Sequence, residues 1–384
     1  MVYLIGANTV LERLDEINWA QLNHAYGSAE DVPDLLRGLA SPDQATRDEA
    51  ISDLYANIWH QGTVYEATAY AVPFLIELLQ APETQDKPYI LQYLYNLASG
   101  SSYLDVHRDY DADPAQHNTP EWQAKLVQEL EWVRLAREAV RAGMPTYFEL
   151  LQQGSFEEKT ASAFLISGFL AEDPTLNPYL HSALFYETDP LVRAGIAFAL
   201  SYGKDFDDSL QATLYAQLSD QEPIVRLAAA VALAQQHGPQ TPETVREVLF
   251  AAFDQPDAVL EPYERLQYDN GSALVQAMKG CMALQDPDSS RLTQALIGAL
   301  GLVDADNALT LSTSLLTLNF PSFSPDQNPA PLRAHQLNVF QRQVIQALLA
   351  HDAVWEYDSN TGMLLEMFAL PSERTELAEL LNNS

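Results

Sequence analysis

At 384 residues the chain is long enough for two ordinary domains or one continuous array, and its 47% hydrophobic share excludes wholesale disorder. Lys and Arg number 20 against 53 Asp and Glu, a formal net charge of −33, so nucleic acid and anionic lipid are repelled at long range. A single cysteine, Cys281, excludes an intrachain disulfide framework and a cysteine-rich zinc site; within the apolar run 279–284 it reads as a small core residue in a reducing compartment.

The first five residues are apolar, but Glu12, Asp15 and Glu16 follow with no basic stretch ahead of them, so no signal peptide is expected. No window approaches the roughly 18 uninterrupted apolar residues of a membrane helix, which points to a cytoplasmic protein. Residues 11–26 read as an N-terminal cap. Apolar residues at helical spacing then predict a first helix pair over 32–40 and 44–59, with Gly62 as a left-handed stop. A second pair is predicted over 65–79 and 87–98, with Pro73 expected to break or kink its first member near Ala71. The polar stretch 100–120 is too long for an ordinary helix connection and reads as an acidic insertion. Helices are predicted beyond it over 122–142, 145–153, 156–170, 176–185, 210–218, 243–253, 272–284, 290–302 and 308–318. Pro321, Pro325, Pro329 and Pro331 make 321–331 a non-helical linker between an array over 1–320 and a C-terminal helical cap over 332–384.

Two stretches align without gaps. Asp189-Pro190-Leu191-Val192-Arg193 precedes the run Ala194 to Leu200, and Glu222-Pro223-Ile224-Val225-Arg226, 33 residues on, precedes Leu227 to Leu233. A fainter copy is Asp43 to Arg47, followed by Ala50, Ile51 and Leu54. Acid and proline suit the first turn of a helix, and small residues after the arginine let helices approach closely. Arg193 and Arg226, one turn in, are expected to bridge neighbouring units. At these residues the chain resembles HEAT repeats, of the short type found in phycobilisome lyases, while the ankyrin and TPR signatures are missing at the repeating positions. That resemblance implies an all-α, right-handed superhelical solenoid of the armadillo kind. The stretches His24-Ala25-Tyr26-Gly27, Asn57 to Thr63, Tyr65 and Ala69 to Leu75 are similar to a group of bacterial HEAT-repeat proteins, a resemblance that implies the same solenoid and a bacterial origin.

Signatures of catalysis are few. None of the eight histidines is followed by glutamate, as the metal motif of HEAT-like hydroxylases requires, and no His-x-x-x-His pair occurs. Asp109-Tyr110-Asp111-Ala112-Asp113 imitates the opening of a calcium loop, but Pro114 stands where that loop needs glycine and Pro120 where it needs glutamate. Phosphate-cradling glycine loops and the Gly-x-Ser-x-Gly elbow do not occur. No enzymatic activity, metal or cofactor is expected.

The composition favours recognition instead. Trp59, His60 and Tyr65 flank a polar turn, and Tyr89, Tyr93 and Tyr103 crowd the next segment, with Tyr89 and Tyr93 four apart on one helix face. Tyrosine offers an apolar body with a polar tip, as binding surfaces need. With Asp109, Asp111 and Asp113 alongside, these residues predict a surface for a basic protein, on a scaffold that binds neither nucleic acid nor membrane. Two other readings are an immunity protein that neutralises a basic toxin and, from the name-giving relatives of the repeat, a chaperone for a tetrapyrrole chromophore.

Overall fold

The computed structural model describes residues 11–108, 114–266, 271–286, 288–323 and 332–382. It is all-α apart from two short hairpins among these residues, and none of their helices is long and apolar enough to cross a membrane. The chain divides into two compact units, Met1–Tyr179 and Leu180–Ser384.

In the first unit, 3-10 turns at Glu12–Glu16 and Trp19–Gln21 lead into the hairpin β1 (Asn23–His24) and β2 (Gly27–Ser28). The helices α1 (Val32–Leu39) and α2 (Gln44–Asn57) follow. A second hairpin, β3 (Trp59–His60) and β4 (Thr63–Val64), precedes α3 (Glu66–Gln80) and α4 (Lys87–Ala98). Next come the short α5 (Tyr103–His107), the long α6 (Pro120–Arg141), α7 (Met144–Gln153) and α8 (Phe156–Leu170); α9 (Asn177–Tyr186) carries the chain onward.

Local chemistry accounts for many of these boundaries. Ser155 opens α8 with a reciprocal cap, its hydroxyl accepting from the Glu158 N–H at 3.2 Å while the Glu158 carboxylate accepts from the Ser155 N–H at 2.7 Å. Two expectations need correction here. Pro73 does not break α3, which runs unbroken from Glu66 to Gln80. Pro73 is exposed, so the hydrogen bond it cannot make falls on the solvent side of the helix. The helix expected to reach Trp59 stops at Asn57 instead, because Gln61 (φ 48°) and Gly62 (φ 90°) turn the chain back as a two-residue hairpin.

The core of this unit forms where α4 packs on α8, α6 and α3, and α7 on α8. Ile90, Leu91, Leu94 and Leu97 of α4 are buried there with Leu165, Ile166 and Phe169 of α8.

The second unit comprises α10 (Pro190–Leu200), α11 (Asp208–Gln217), α12 (Pro223–His237), α13 (Glu243–Asp254), α14 (Asp257–Glu264) and α15 (Ala273–Ala283). It continues with α16 (Ser290–Ala299), α17 (Ala305–Asn319), α18 (Val339–Ala350), α19 (Asp358–Glu366) and α20 (Arg374–Asn382). The central helix is α12, packed against α10, α11, α13, α14 and α15; every residue from Leu227 to Ala234 is buried. Alanine dominates that run because α10 and α15 both lie close against it, and a larger side chain would force them apart. Beyond the proline-rich stretch, α18 packs on α16 and α17 within this unit, and residues 324–331 of the expected linker lie outside the described ones.

Asp189 caps α10, accepting from the Leu191 and Val192 N–H groups, whereas the aligned Glu222 makes no side-chain cap on α12. The aligned arginines also differ. Arg193 reaches forward, Nη2 donating to Asp220 at 2.7 Å and Nη1 to the Thr188 carbonyl at 2.8 Å. Arg226 turns back onto its own loop, donating to the carbonyls of Asp220 and Gln221. Arg47 and Arg246 behave likewise: each bonds carbonyls of the loop before its helix and pairs with a later acid, Asp86 and Asp286 respectively.

Candidate protein-binding surface

Four segments of the first unit converge around the two hairpins. The Ala25 N–H donates to the Asn57 carbonyl, which ties the β1–β2 turn to the end of α2. The Val64 N–H donates to Ser101, and the Ser101 N–H to Gly62, so the segment after α4 extends the second hairpin as a parallel bridge at Thr63 and Ser101. A Cβ on Gly100 would collide with Val64, which is why glycine stands at this approach.

Side chains lock the arrangement. Buried His24 contacts Asp31 through Nε2 at 3.0 Å, while its Nδ1 accepts from the Tyr26 N–H at 3.0 Å. A backbone N–H can only donate, so the ring carries its proton on Nε2 and gives it to Asp31. Asn57 donates to the other oxygen of Asp31 at 2.9 Å. Thr63 gives its one hydroxyl proton to the His60 carbonyl at 2.7 Å, so the Tyr65 hydroxyl is the donor in its 2.8 Å contact with Thr63. Burial holds the Tyr65 phenol above its usual pKa.

The buried Glu129 of α6 fixes the remaining segment, accepting from the Ser102 hydroxyl at 2.9 Å and the Leu104 N–H at 2.8 Å. Lys125, one turn earlier, approaches it to 3.8 Å. Glu129→Ala should leave both donors unpaired and cost about 1–3 kcal/mol. Hydrogen exchange of α5 is the measurement: unchanged protection there would remove Glu129 as the anchor of Tyr103.

Held this way, Tyr26 (71% exposed) sets its ring edge against His60 at 5.5 Å, and Tyr103 (44% exposed) stacks on His107 at 4.1 Å. Trp59, half-buried, rests edge-on against Tyr55 at 5.4 Å, and Tyr55 in turn lies 4.4 Å from Tyr93. Tyr26, Tyr103 and Glu129 each lie within electrostatic reach of Tyr65.

The predicted surface is therefore redrawn. His60, Tyr65 and Tyr103 are grouped with Tyr26 around the hairpins and the bridge, whereas Trp59, the neighbour of His60 on β3, turns its ring to Tyr55 instead. Tyr93 does not belong with them: it is 0% exposed, its hydroxyl donating to the Leu54 carbonyl at 2.6 Å. Tyr89 is 60% exposed but stands beside Arg47 and Asp86 near the start of α4, about 14 Å of helix from Ala98 at roughly 1.5 Å per residue. Asp109, Asp111 and Asp113 lie outside the described residues. Tyr26 is the member that sequence reasoning missed, although it sits in the same short motif as His24 and Gly27.

Compared with protein-family models and with curated proteins, the chain matches none.

Proposed function

We propose that this chain is a non-enzymatic scaffold of HEAT-like repeats that holds a basic protein against the hairpin surface. The observation that carries the reading is the grouping of Tyr26, His60, Tyr65 and Tyr103 where the two hairpins and the segment after α4 are tied together. Aromatic side chains that are already ordered lose little entropy on docking and bury much apolar area, as interface anchors do. The net charge of −33 supports a basic partner, because it speeds that encounter and turns acidic competitors away. Support for the repeat architecture comes from Arg47, Arg193, Arg226 and Arg246, each folded onto carbonyls of the loop before its own helix.

The test pairs the intact chain with a Tyr26→Ala/Tyr103→Ala variant as baits in native cells, with captured proteins identified by mass spectrometry. A basic protein should be retained by the intact chain and lost from the variant. Each substitution should weaken binding by roughly 2 kcal/mol, mostly through faster dissociation. Rising salt should slow association of the intact chain. Equal retention by both baits, or a partner that is acidic, would refute the proposal.

A further inference from the structure

The tip of the first hairpin is held at two points that differ in kind. The Ala25 N–H donates to the Asn57 carbonyl, a bond between backbone groups that does not titrate. The Tyr26 N–H donates at 3.0 Å to Nδ1 of His24, a nitrogen that accepts only while the ring is neutral. Ala25 and Tyr26 form the turn itself, between the pairs Asn23 with Ser28 and His24 with Gly27. Gly27, at φ 119° and with nothing near the place of a Cβ, leaves that turn room to rotate.

A second proton on the imidazole goes to Nδ1 and makes it a donor. Two N–H groups then face each other across 3.0 Å, and neither can accept. The other side of the ring is unaffected: Nε2 donates to Asp31 in both states, and a positive ring strengthens that pair. With 7% of its side chain exposed, the ring has no free path to water. Protonated His24 therefore stays on Asp31 and lets go of Tyr26. Of the titratable groups on the surrounding elements, Asp31 alone bonds the ring among the described residues. Glu30 and Asp53 are exposed, and Tyr70 of α3 is 45% exposed. Glu66 of α3 is engaged by the Asn23 amide at 2.9 Å, and His60 of β3 meets the Tyr26 ring.

We propose that His24 is a proton-operated latch on the hairpin surface. Neutral, it holds Tyr26 against His60; protonated, it frees the turn and takes Tyr26 out of that surface. Histidine suits the role because its charge changes nearer neutrality than that of any other ordinary side chain. The sign follows from the bonds: acid opens the latch and base closes it. That the latch regulates partner binding rests on the scaffold reading, in which Tyr26 is a contact. The latch itself belongs to the free chain, so either can fail without the other.

The experiment is NMR of the full chain without a partner, isotope-labelled on the nitrogens of histidine and tyrosine, from about pH 8 down to about pH 5. At the upper end His24 should carry its proton on Nε2, and a nuclear Overhauser contact should join the Tyr26 and His60 rings. As Nδ1 takes up its proton, the Tyr26 amide signal should shift with the same midpoint and the ring contact should disappear. Exchange of that amide with water, corrected for the intrinsic effect of pH, should rise about tenfold. His24→Asn is the control, because its Oδ1 stands where Nδ1 does and accepts at every pH; its Tyr26 amide should show no step. In His60→Gln the step should remain. A Tyr26 amide that keeps its signal while Nδ1 is protonated would overturn the latch, as would a His24 that stays neutral throughout. Both outcomes are read on the native chain, so they stand even where a variant disturbs the turn. A step that persists in His24→Asn, or vanishes in His60→Gln, would assign the proton elsewhere and overturn it too.

Discussion

Replacing Tyr93 by alanine should destabilise the first unit by about 3–5 kcal/mol, the range for deleting a large buried aromatic side chain. The ring is fully buried, in contact with Tyr55 of α2, so its removal leaves a cavity in a close-packed interior. Tyr93→Phe separates volume from hydrogen bonding. It keeps the ring and removes only the bond to the Leu54 carbonyl, which still accepts from the Ile58 N–H, so about 1 kcal/mol should be lost. Hydrogen exchange over α2 and α4 is the appropriate measurement, because a chain of two compact units need not unfold in one step. Protection in Tyr93→Ala within about 0.5 kcal/mol of the native chain would remove Tyr93 from the core. Partner binding should survive Tyr93→Phe, since the hydroxyl faces inward and never meets the hairpin surface.

That result bears on what residue spacing can show. Tyr89 and Tyr93 share a helix face, as their separation of four requires, yet one is enclosed and the other overhangs the start of α4. Periodicity reports the direction of a side chain, whereas burial depends on which neighbour covers that turn, here Leu54 and Tyr55 of α2. Long apolar segments were legible: α4 over 87–98 and α8 over 156–170 coincide with the predicted spans. The hairpins were not. A strand of two residues is too short to show alternation, and Gln61-Gly62 serves a helix stop and a hairpin turn equally well. The helix α14 was not among the predicted spans; it is short, with Pro256 just before its first turn and Pro262 in its last, and proline is a loop signal in sequence. Of the candidate surface, the aromatic composition was legible and the grouping was not. Tyr26 meets His60 only through pairing of backbone segments far apart in sequence.

In the second unit, Arg193→Ala should cost about 1–3 kcal/mol, and Arg226→Ala less, although the two stand at equivalent places in aligned stretches. Both act through Asp220. Its Oδ1 accepts from the Glu222 N–H at 2.9 Å, its Oδ2 from Arg193, and its carbonyl from Arg226. Losing Arg193 leaves a carboxylate that is only 18% exposed without its cation, whereas losing Arg226 frees two carbonyls of which Gln221 is open to water. Arg13→Ala serves as the control, since its pair with Glu16 lies on the surface and should be worth less than about 0.5 kcal/mol. The pH dependence supplies a second, independent check. Burial alone would raise the Asp220 carboxyl, but the Glu222 N–H, the Arg193 guanidinium and the field of Arg226 outweigh it and hold the group below its usual range. A carboxyl depressed in the folded state binds fewer protons there than in the unfolded chain. Its contribution is therefore complete above the unfolded value, about 4, and fades as the pH falls through the lower folded one. The gap in stability between native and Arg193→Ala should be full at neutral pH and shrink below about 4. A gap that stays constant down to strongly acid pH would mean that Arg193 stabilises the unit through the Thr188 carbonyl and packing, and that its charge pairing with Asp220 adds nothing.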